Sequence, residues 1–93
     1  MKISVVIPVY NGEKTVETLN EKLIGYFKKS KYDFEIVYVH DYGNDNSLEK
    51  LETLEVLYPN NVKLIKLNRN FGQHNAIICG FNYCSGDFIV TMD

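Results

Sequence analysis

Short apolar segments alternate with segments of helical periodicity along the whole of this 93-residue chain. The apolar, β-branched segments predict strands at residues 2–9, Phe34–Val39, Val62–Leu67 and Asp87–Met92. Apolar residues at helical spacing predict helices from about Lys14 to Lys29, from an Asp45 or Asn46 cap to just before Pro59, and from about Gln73 to Cys84. Strands that alternate with helices favour an α/β fold, because parallel strands need a crossover connection.

Right-handed crossovers between these elements predict a parallel sheet with helices on both faces. We expect one Rossmann-like, three-layer domain over residues 1–93, with the element order β-α-β-α-β-α-β and the strand order 3-2-1-4. The topological switch point then lies between strands 1 and 4, where ligands bind in open α/β sheets. The loop at residues 9–13 lies at this point, and the loop at residues 41–46 flanks it.

Composition limits the classes of function. The net charge of −2 and the pI near 5.6 argue against a nucleic-acid partner, which usually requires a basic face. No apolar run is long enough to span a membrane, and Met1 leads directly into a strand without a signal-peptide pattern. Cys79 and Cys84 are five residues apart on a predicted helix and point to different faces, so we expect free thiols in a cytoplasmic protein.

The first strand stops at Pro8 and is followed at once by Tyr10, Asn11 and Gly12. This pattern is typical of a buried strand that delivers a polar loop to one edge of a sheet. The simpler interpretation is a strand-ending turn with one exposed aromatic side chain.

A second polar loop begins at Asp41, directly after the second strand. A carboxylate at this edge can accept hydrogen bonds from a base N–H or a ribose hydroxyl. The alternative is that Asp41 only forms an Asx-turn or caps the next helix. His40 could be a ligand or a general base, but the sequence favours a half-buried structural histidine.

Two further segments carry charge at predicted loops. Arg69 lies in the loop 68–72 before the third helix, where it could neutralise phosphate beside free helical N–H groups, or simply remain solvated. His74, at the start of that helix, is expected to have no catalytic role. Asp93 follows the fourth strand, and as a lone carboxylate it is a poor metal site, because divalent cations require several oxygen ligands.

Taken in order, these four segments resemble the nucleotide-sugar-binding half of family 2 glycosyltransferases, which have the GT-A fold. Pro8, Val9 and Tyr10 resemble the Pro-x-Tyr-Asn segment of the family, whose backbone and tyrosine ring embrace the nucleoside. Asp41 occupies the position of the aspartate that contacts the base. The chain departs from the family at His40, where Asp is usual, and at Tyr42-Gly43, where Gly-Ser is usual.

The resemblance extends to Arg69 and Asp93. Arg69 begins the Arg-Asn-Phe-Gly loop, which is similar to that of polyprenyl-phosphate glycosyltransferases of the dolichol-phosphate-mannose-synthase type and of bacterial cell-surface polysaccharide relatives. This resemblance implies that Arg69 faces the phosphates of the nucleotide sugar. Asp93 resembles the first residue of the Asp-x-Asp motif, which implies contact with ribose or partial binding of Mg²⁺ or Mn²⁺.

The resemblance implies an inverting glycosyltransferase that uses a nucleotide-diphosphate sugar, with UDP expected as the nucleotide. The acceptor would be a polyprenyl phosphate or a cell-surface glycan, and the intact protein would work at the cytoplasmic face of the membrane. The family's catalytic base and acceptor site lie beyond Asp93, so we expect no catalytic residue within the 93 residues and no activity from them alone.

A non-catalytic α/β nucleotide-binding or interaction module is the alternative. The chain lacks a Gly-x-Gly-x-x-Gly after the first strand and lacks a Walker loop, which argues against dinucleotide binders and P-loop proteins. An uncovered fourth strand can also pair with a second copy, so we expect a homodimer through this region.

Overall fold

A computed structural model describes residues 1–41, 45–67 and 73–92. The elements are β1 (Lys2–Val9), α1 (Val16–Lys28), β2 (Asp33–His40), α2 (Ser47–Leu57), β3 (Val62–Lys66), α3 (Gln73–Phe81) and β4 (Phe88–Thr91). The four strands form one parallel sheet in the order β3-β2-β1-β4. The fold class and the strand order predicted from the sequence are therefore confirmed.

The sheet has a different apolar layer on each face. One face carries Val5, Ile36 and Tyr38, which pack with residues of α1 and α2 such as Ile24 and Leu51. The opposite face carries Val6, Val37 and Val39, which pack with Ala76 of α3. These side chains alternate along β1 and β2, because successive residues of a strand point to opposite faces. The result is the three-layer arrangement expected of a doubly wound sheet.

Two helices are shorter than the sequence predicted. The chain before α1 forms a turn in which the N–H groups of Thr15 and Val16 both donate to the carbonyl oxygen of Gly12, so the helix begins at Val16 instead of Lys14. After Phe81 the backbone bonds tighten to an i→i+3 pattern, exemplified by Cys84 N–H donating to Phe81 O, so α3 ends three residues before the predicted end. Phe81, the last residue of α3, is exposed.

Two glycines permit close approach of backbone segments. A Cβ at Gly80 would lie 2.5 Å from Cγ1 of Val6, so the missing side chain lets α3 lie directly on the sheet. A Cβ at Gly86 would lie 2.8 Å from the backbone nitrogen of Ser4. The φ of Gly86 lies outside the left-handed region, so a glycine is required here by the contact with β1 and not by backbone conformation.

The amino ends of the strands are held by a buried carboxylate. Glu35 of β2 is 1% exposed, and it accepts hydrogen bonds from Ser4 Oγ at 2.5 Å and from Ser85 N at 2.6 Å. Its Oε1 lies 2.7 Å from Lys63 Nζ and 3.6 Å from Lys2 Nζ. The carboxylate thereby joins β1, β2, β3 and the segment that leads into β4 at the edge opposite the polar loops.

The strand β4 is an exposed edge. Phe88, Ile89 and Val90 are all exposed, although β4 is hydrogen-bonded to β1 on its other side. An uncovered apolar edge strand can pair with another chain. Pairing of two copies through β4 is not tested by the structure of a single chain and stays a prediction. We expect a concentration-dependent dimer in light scattering, and a monomer at high concentration would contradict it.

Within the described ranges, no helix is long and apolar enough to cross a membrane. Cys79 and Cys84 are free thiols, as their spacing predicted, and both are half-buried. Burial raises the pKa of the Cys84 thiol, which disfavours its reactive thiolate form.

Candidate functional site

The carboxyl ends of the central strands are tied together by backbone hydrogen bonds. Asp41 N–H donates to Val9 O at 2.8 Å, and Leu67 N–H donates to His40 O at 3.0 Å. The first bond sets Asp41 beside the segment that follows β1. The structure therefore brings two of the predicted polar loops to one sheet edge, next to the switch point between β1 and β4.

The loop after β1 exposes one aromatic ring. The Val9 side chain is buried in the core and Pro8 is half-buried, whereas Tyr10 is 54% exposed. Asn11 adopts a φ of 54°, a left-handed conformation that asparagine tolerates better than most residues. This turn stops the strand and leaves the Tyr10 ring available to a flat ligand. Val9 contributes here through its backbone, since its carbonyl oxygen holds Asp41.

Asp41 and His40 are both buried at this edge of the sheet. Asp41 is 3% exposed and His40 is 5% exposed, so the histidine is more buried than predicted. None of the described residues gives His40 Nε2 a hydrogen-bond partner. Burial lowers the pKa of His40 despite the opposing charges of Asp45, Asp41 and Glu52. His40 is therefore a neutral imidazole at pH 7, and its burial agrees with the structural role that the sequence favoured.

The loop after β1 and the start of α2 are cross-linked by reciprocal bonds. Glu13 N–H donates to Asp45 Oδ2 at 2.9 Å, and Asn46 N–H donates to Glu13 Oε1 at 3.2 Å. Lys50 Nζ donates to Glu13 O at 2.7 Å and lies 3.1 Å from Glu17 Oε1. We refer to Glu13, Asp45, Asn46 and Lys50 as the loop clasp.

The clasp also caps α2. Asp45 Oδ1 accepts the Ser47 N–H at 3.0 Å, so the Asp45 side chain caps α2, while Asn46, at the N-cap position, makes no side-chain cap bond. This decides between the two caps that the sequence left open. Burial raises the pKa of Asp45, but hydrogen bonds from Ser47 and Glu13 outweigh that effect and lower it below the ordinary value. The carboxylate is thus ionised at pH 7 and holds its donors strongly.

The residues predicted to bind the phosphates and the metal ion are not among the described residues. Arg69 and Asp93 fall outside the described residues, as does Tyr42. Among the residues that are described, no group of three or more His, Cys, Asp or Glu is placed to hold a metal ion. The described part of the site therefore does not supply a set of metal ligands.

The family of the chain is decided by comparison with known proteins. The sequence model of glycosyl transferase family 2 matches residues 4–93. The chain belongs to this family. Because the match begins in β1 and includes every later element, it covers both of the loops described above.

Among curated relatives, this family 2 chain is 45% identical over 92 residues to undecaprenyl-phosphate 4-deoxy-4-formamido-L-arabinose transferase of Proteus mirabilis strain HI4320. It is 41% identical over 91 residues to the protein of the same name in Pseudomonas fluorescens strain SBW25. The matches cover 99% and 98% of the chain, but only 28% and 27% of the relatives. The chain thus spans little more than a quarter of their length.

Solved glycosyltransferases share the fold of this family 2 chain. S. aureus TarS, residues 1–349, in complex with UDP matches with a TM-score of 0.75 and 29% identity, over 100% of this chain and 27% of that one. The mannosyltransferase PcManGT from Pyrobaculum calidifontis, in complex with GDP-Man and Mn²⁺, matches with a TM-score of 0.72 and 19% identity, over 94% of this chain and 25% of that one. The second likeness shows the GT-A fold alone.

Two features of this family 2 chain were not found from its sequence. The contact between Glu13 and Asp45 joins residues 32 positions apart, and no local pattern reveals such a pair. Glu35 did carry a signal, because it is a charged residue inside the apolar strand Phe-Glu-Ile-Val-Tyr-Val. A carboxylate in a buried strand requires partners, and the structure supplies them in Ser4, Ser85 and Lys63.

Proposed function

We propose that the full-length protein is an inverting glycosyltransferase that moves a sugar from a UDP-linked donor to a polyprenyl phosphate. The observation that carries this proposal is the position of Asp41 in a family 2 chain. Its backbone is bonded to the segment that presents Tyr10, at the sheet edge where open α/β folds bind ligands.

The proposed roles follow from the chemistry of each side chain. The exposed Tyr10 ring provides a flat apolar surface for the nucleobase. Asp41 accepts hydrogen bonds from the base N–H or from a ribose hydroxyl, and its burial strengthens such bonds because water competes less. Pro8 and Val9 contribute the rigid backbone below the nucleoside. The choice of a UDP-linked sugar as the donor is supported by TarS, which was solved with UDP and with UDP-GlcNAc.

In the proposed reaction, an oxygen of the acceptor attacks the anomeric carbon of the sugar. The bond from that carbon to the diphosphate oxygen breaks, and the nucleoside diphosphate leaves on the opposite side, so the configuration inverts. The described residues hold the nucleoside and orient the donor for this in-line attack. The acceptor-binding and proton-accepting groups belong to the part of the protein beyond these residues.

Arg69 and Asp93 complete the proposal on the phosphate side. We assign Arg69 to the diphosphate, where a guanidinium can form paired hydrogen bonds. Asp93 is assigned as one ligand of Mg²⁺ or Mn²⁺ in the full-length protein. These two assignments rest on the Arg-Asn-Phe-Gly loop and on the position of Asp93 after β4.

Support for the acceptor comes from the curated relatives. The Proteus mirabilis and Pseudomonas fluorescens proteins are named as transferases that use undecaprenyl phosphate. A lipid phosphate of this kind resides in a membrane, so the enzyme must reach it at the membrane surface. We place the reaction at the cytoplasmic face of the membrane. A cell-surface glycan, the alternative acceptor, is favoured only if lipid phosphates accept no sugar.

The test is transfer by the full-length protein. The protein is incubated with UDP-sugars, undecaprenyl phosphate and Mn²⁺, and sugar in the lipid extract is measured together with released UDP. We expect equal amounts of the two products, and an anomeric configuration in the lipid product opposite to that of the donor. UDP binding without any transfer, to lipid or to glycan, would contradict the proposal and favour the non-catalytic nucleotide-binding module.

A further inference from the structure

The loop clasp joins the two loops that present Tyr10 and Asp41. We propose that Glu13 and Asp45 are positioning residues that fix these two loops at one separation and thereby set the affinity for the nucleoside diphosphate. This inference rests on the proposed function, and it assigns a role to two residues that would not contact the ligand themselves.

The Asp41 loop is anchored at both of its ends. At the first end, the Asp41 N–H donates to Val9 O at 2.8 Å. At the other end, Asp45 Oδ2 accepts the Glu13 N–H at 2.9 Å. Both anchors lie on the short segment 9–13, from the last residue of β1 to Glu13, and Tyr10 lies between them. The position of Asp41 relative to Tyr10 is therefore set from two sides.

The clasp is reciprocal, which distinguishes it from an ordinary helix cap. A local cap satisfies the first N–H groups of a helix with a side chain from the adjacent turn. Asp45 does this for Ser47 with its Oδ1 atom, and that bond alone would stabilise α2. The second carboxylate, Glu13, comes from 33 residues away to accept the Asn46 N–H. A nearer residue could stabilise the helix equally well. The bond from Glu13 does something more, because it links the two loops.

The cation Lys50 reinforces the same contact. Its Nζ donates to the Glu13 carbonyl oxygen at 2.7 Å, and it lies between that loop and the Glu17 carboxylate. Glu13 is thus held through its backbone N–H, its carbonyl oxygen and its carboxylate. A loop held at three atoms is ordered before the ligand arrives, so binding loses less conformational entropy.

The Asp45→Asn variant separates the two functions of Asp45. Asparagine has one acceptor oxygen in place of two, so it satisfies one of the two N–H groups but not both. Ser47 is only two residues away, so we expect its N–H to keep the oxygen and the Glu13 N–H to lose its acceptor. Glu13→Ala removes the second carboxylate, whereas Glu13→Gln keeps an oxygen that accepts from Asn46. Glu17→Gln removes a charge from the same cluster without touching a loop bond. Val62→Ala provides a destabilised protein with an intact clasp, because Val62 is buried in β3.

The measurement is the Kd for UDP of the full-length protein, taken well below the lowest melting temperature of the set. We expect Asp45→Asn and Glu13→Ala to weaken UDP binding about fivefold to tenfold, as the loss of one hydrogen bond on an ordered loop implies. Glu13→Gln, Glu17→Gln and Val62→Ala should stay within about twofold of the wild type, since they keep both loop bonds. In transfer assays, KM should rise while kcat is unchanged.

Each result decides between the claims. Wild-type affinity in Asp45→Asn and Glu13→Ala would overturn the positioning role while leaving the proposed function intact. An equal loss of affinity in Val62→Ala would also overturn it, because general destabilisation would then explain the effect. A wild-type protein that binds neither UDP nor GDP would overturn the proposed function itself, and the positioning role with it.

Discussion

Replacing Glu35 with alanine is expected to destabilise the fold by about 1–3 kcal/mol, the cost of leaving a buried hydrogen-bond donor without its acceptor. The carboxylate accepts bonds from Ser4 and Ser85 and pairs with Lys63. Its removal leaves the Ser85 N–H and the Ser4 hydroxyl without their acceptor at the edge where β4 joins the sheet. Chemical denaturation of the chain, monitored by circular dichroism, measures the change in the free energy of unfolding.

The same carboxylate makes stability depend on pH. Burial raises the pKa of Glu35, but hydrogen bonds from Lys63, Ser4 and Ser85 outweigh burial and lower the pKa from 4.5 to about 2. A pKa that is lower in the folded state contributes stability above the unfolded value of 4.5 and loses it as the pH falls towards 2. The difference between 4.5 and about 2 corresponds to at most about 3.5 kcal/mol, since one pKa unit corresponds to about 1.4 kcal/mol.

The matched variants are Glu35→Gln and Glu21→Gln. Glu35→Gln keeps an acceptor oxygen but cannot ionise, so the loss of stability between pH 4.5 and 2 should become smaller. Glu21 is exposed on α1, and its replacement should leave both the stability and its pH dependence unchanged. A Glu35→Ala protein that is as stable as the wild type at pH 7 would contradict this prediction. It would show that the bonds of Glu35 make no net contribution to the free energy of unfolding.

The periodicity of the chain was sufficient to predict the sheet. Apolar segments with turn signals gave four strands, and the handedness of crossovers gave their order, because both depend on local patterns and on general chirality. Element ends were less accurate. The carbonyl oxygen of Gly12 accepts two backbone N–H groups, and this turn makes α1 begin at Val16. The apolar periodicity, which predicted a start at Lys14, does not reveal such a turn.

The candidate site was predicted only in part, for a physical reason. Tyr10 and Asp41 each follow a strand, so strand ends alone bring them to one edge. The clasp between Glu13 and Asp45 depends on the distance between two loops, which is set by the packing of α1 and α2 on the sheet. Such a contact appears only when the layers are assembled. Arg69 and Asp93 remain predictions, because they lie outside the described residues.

The second large expected effect concerns Asp41. Its replacement by alanine should weaken UDP binding about 10- to 100-fold, since hydrogen bonds to a charged group contribute about 1.5–3 kcal/mol. Asp33→Ala is the matched control, because Asp33 begins β2 at the opposite, amino-terminal edge of the sheet and is exposed. If Asp41 only formed a turn or capped α2, its loss would lower the melting temperature and leave the affinity for UDP unchanged.

The most direct test of the account is calorimetric titration of the full-length protein with UDP, and then with GDP, with and without Mn²⁺. The account predicts saturable UDP binding that is lost or greatly weakened in Asp41→Ala and retained in Asp33→Ala. Binding of neither nucleotide by the wild type, or undiminished UDP binding by Asp41→Ala, would contradict the claim that this sheet edge holds the nucleotide of a sugar donor.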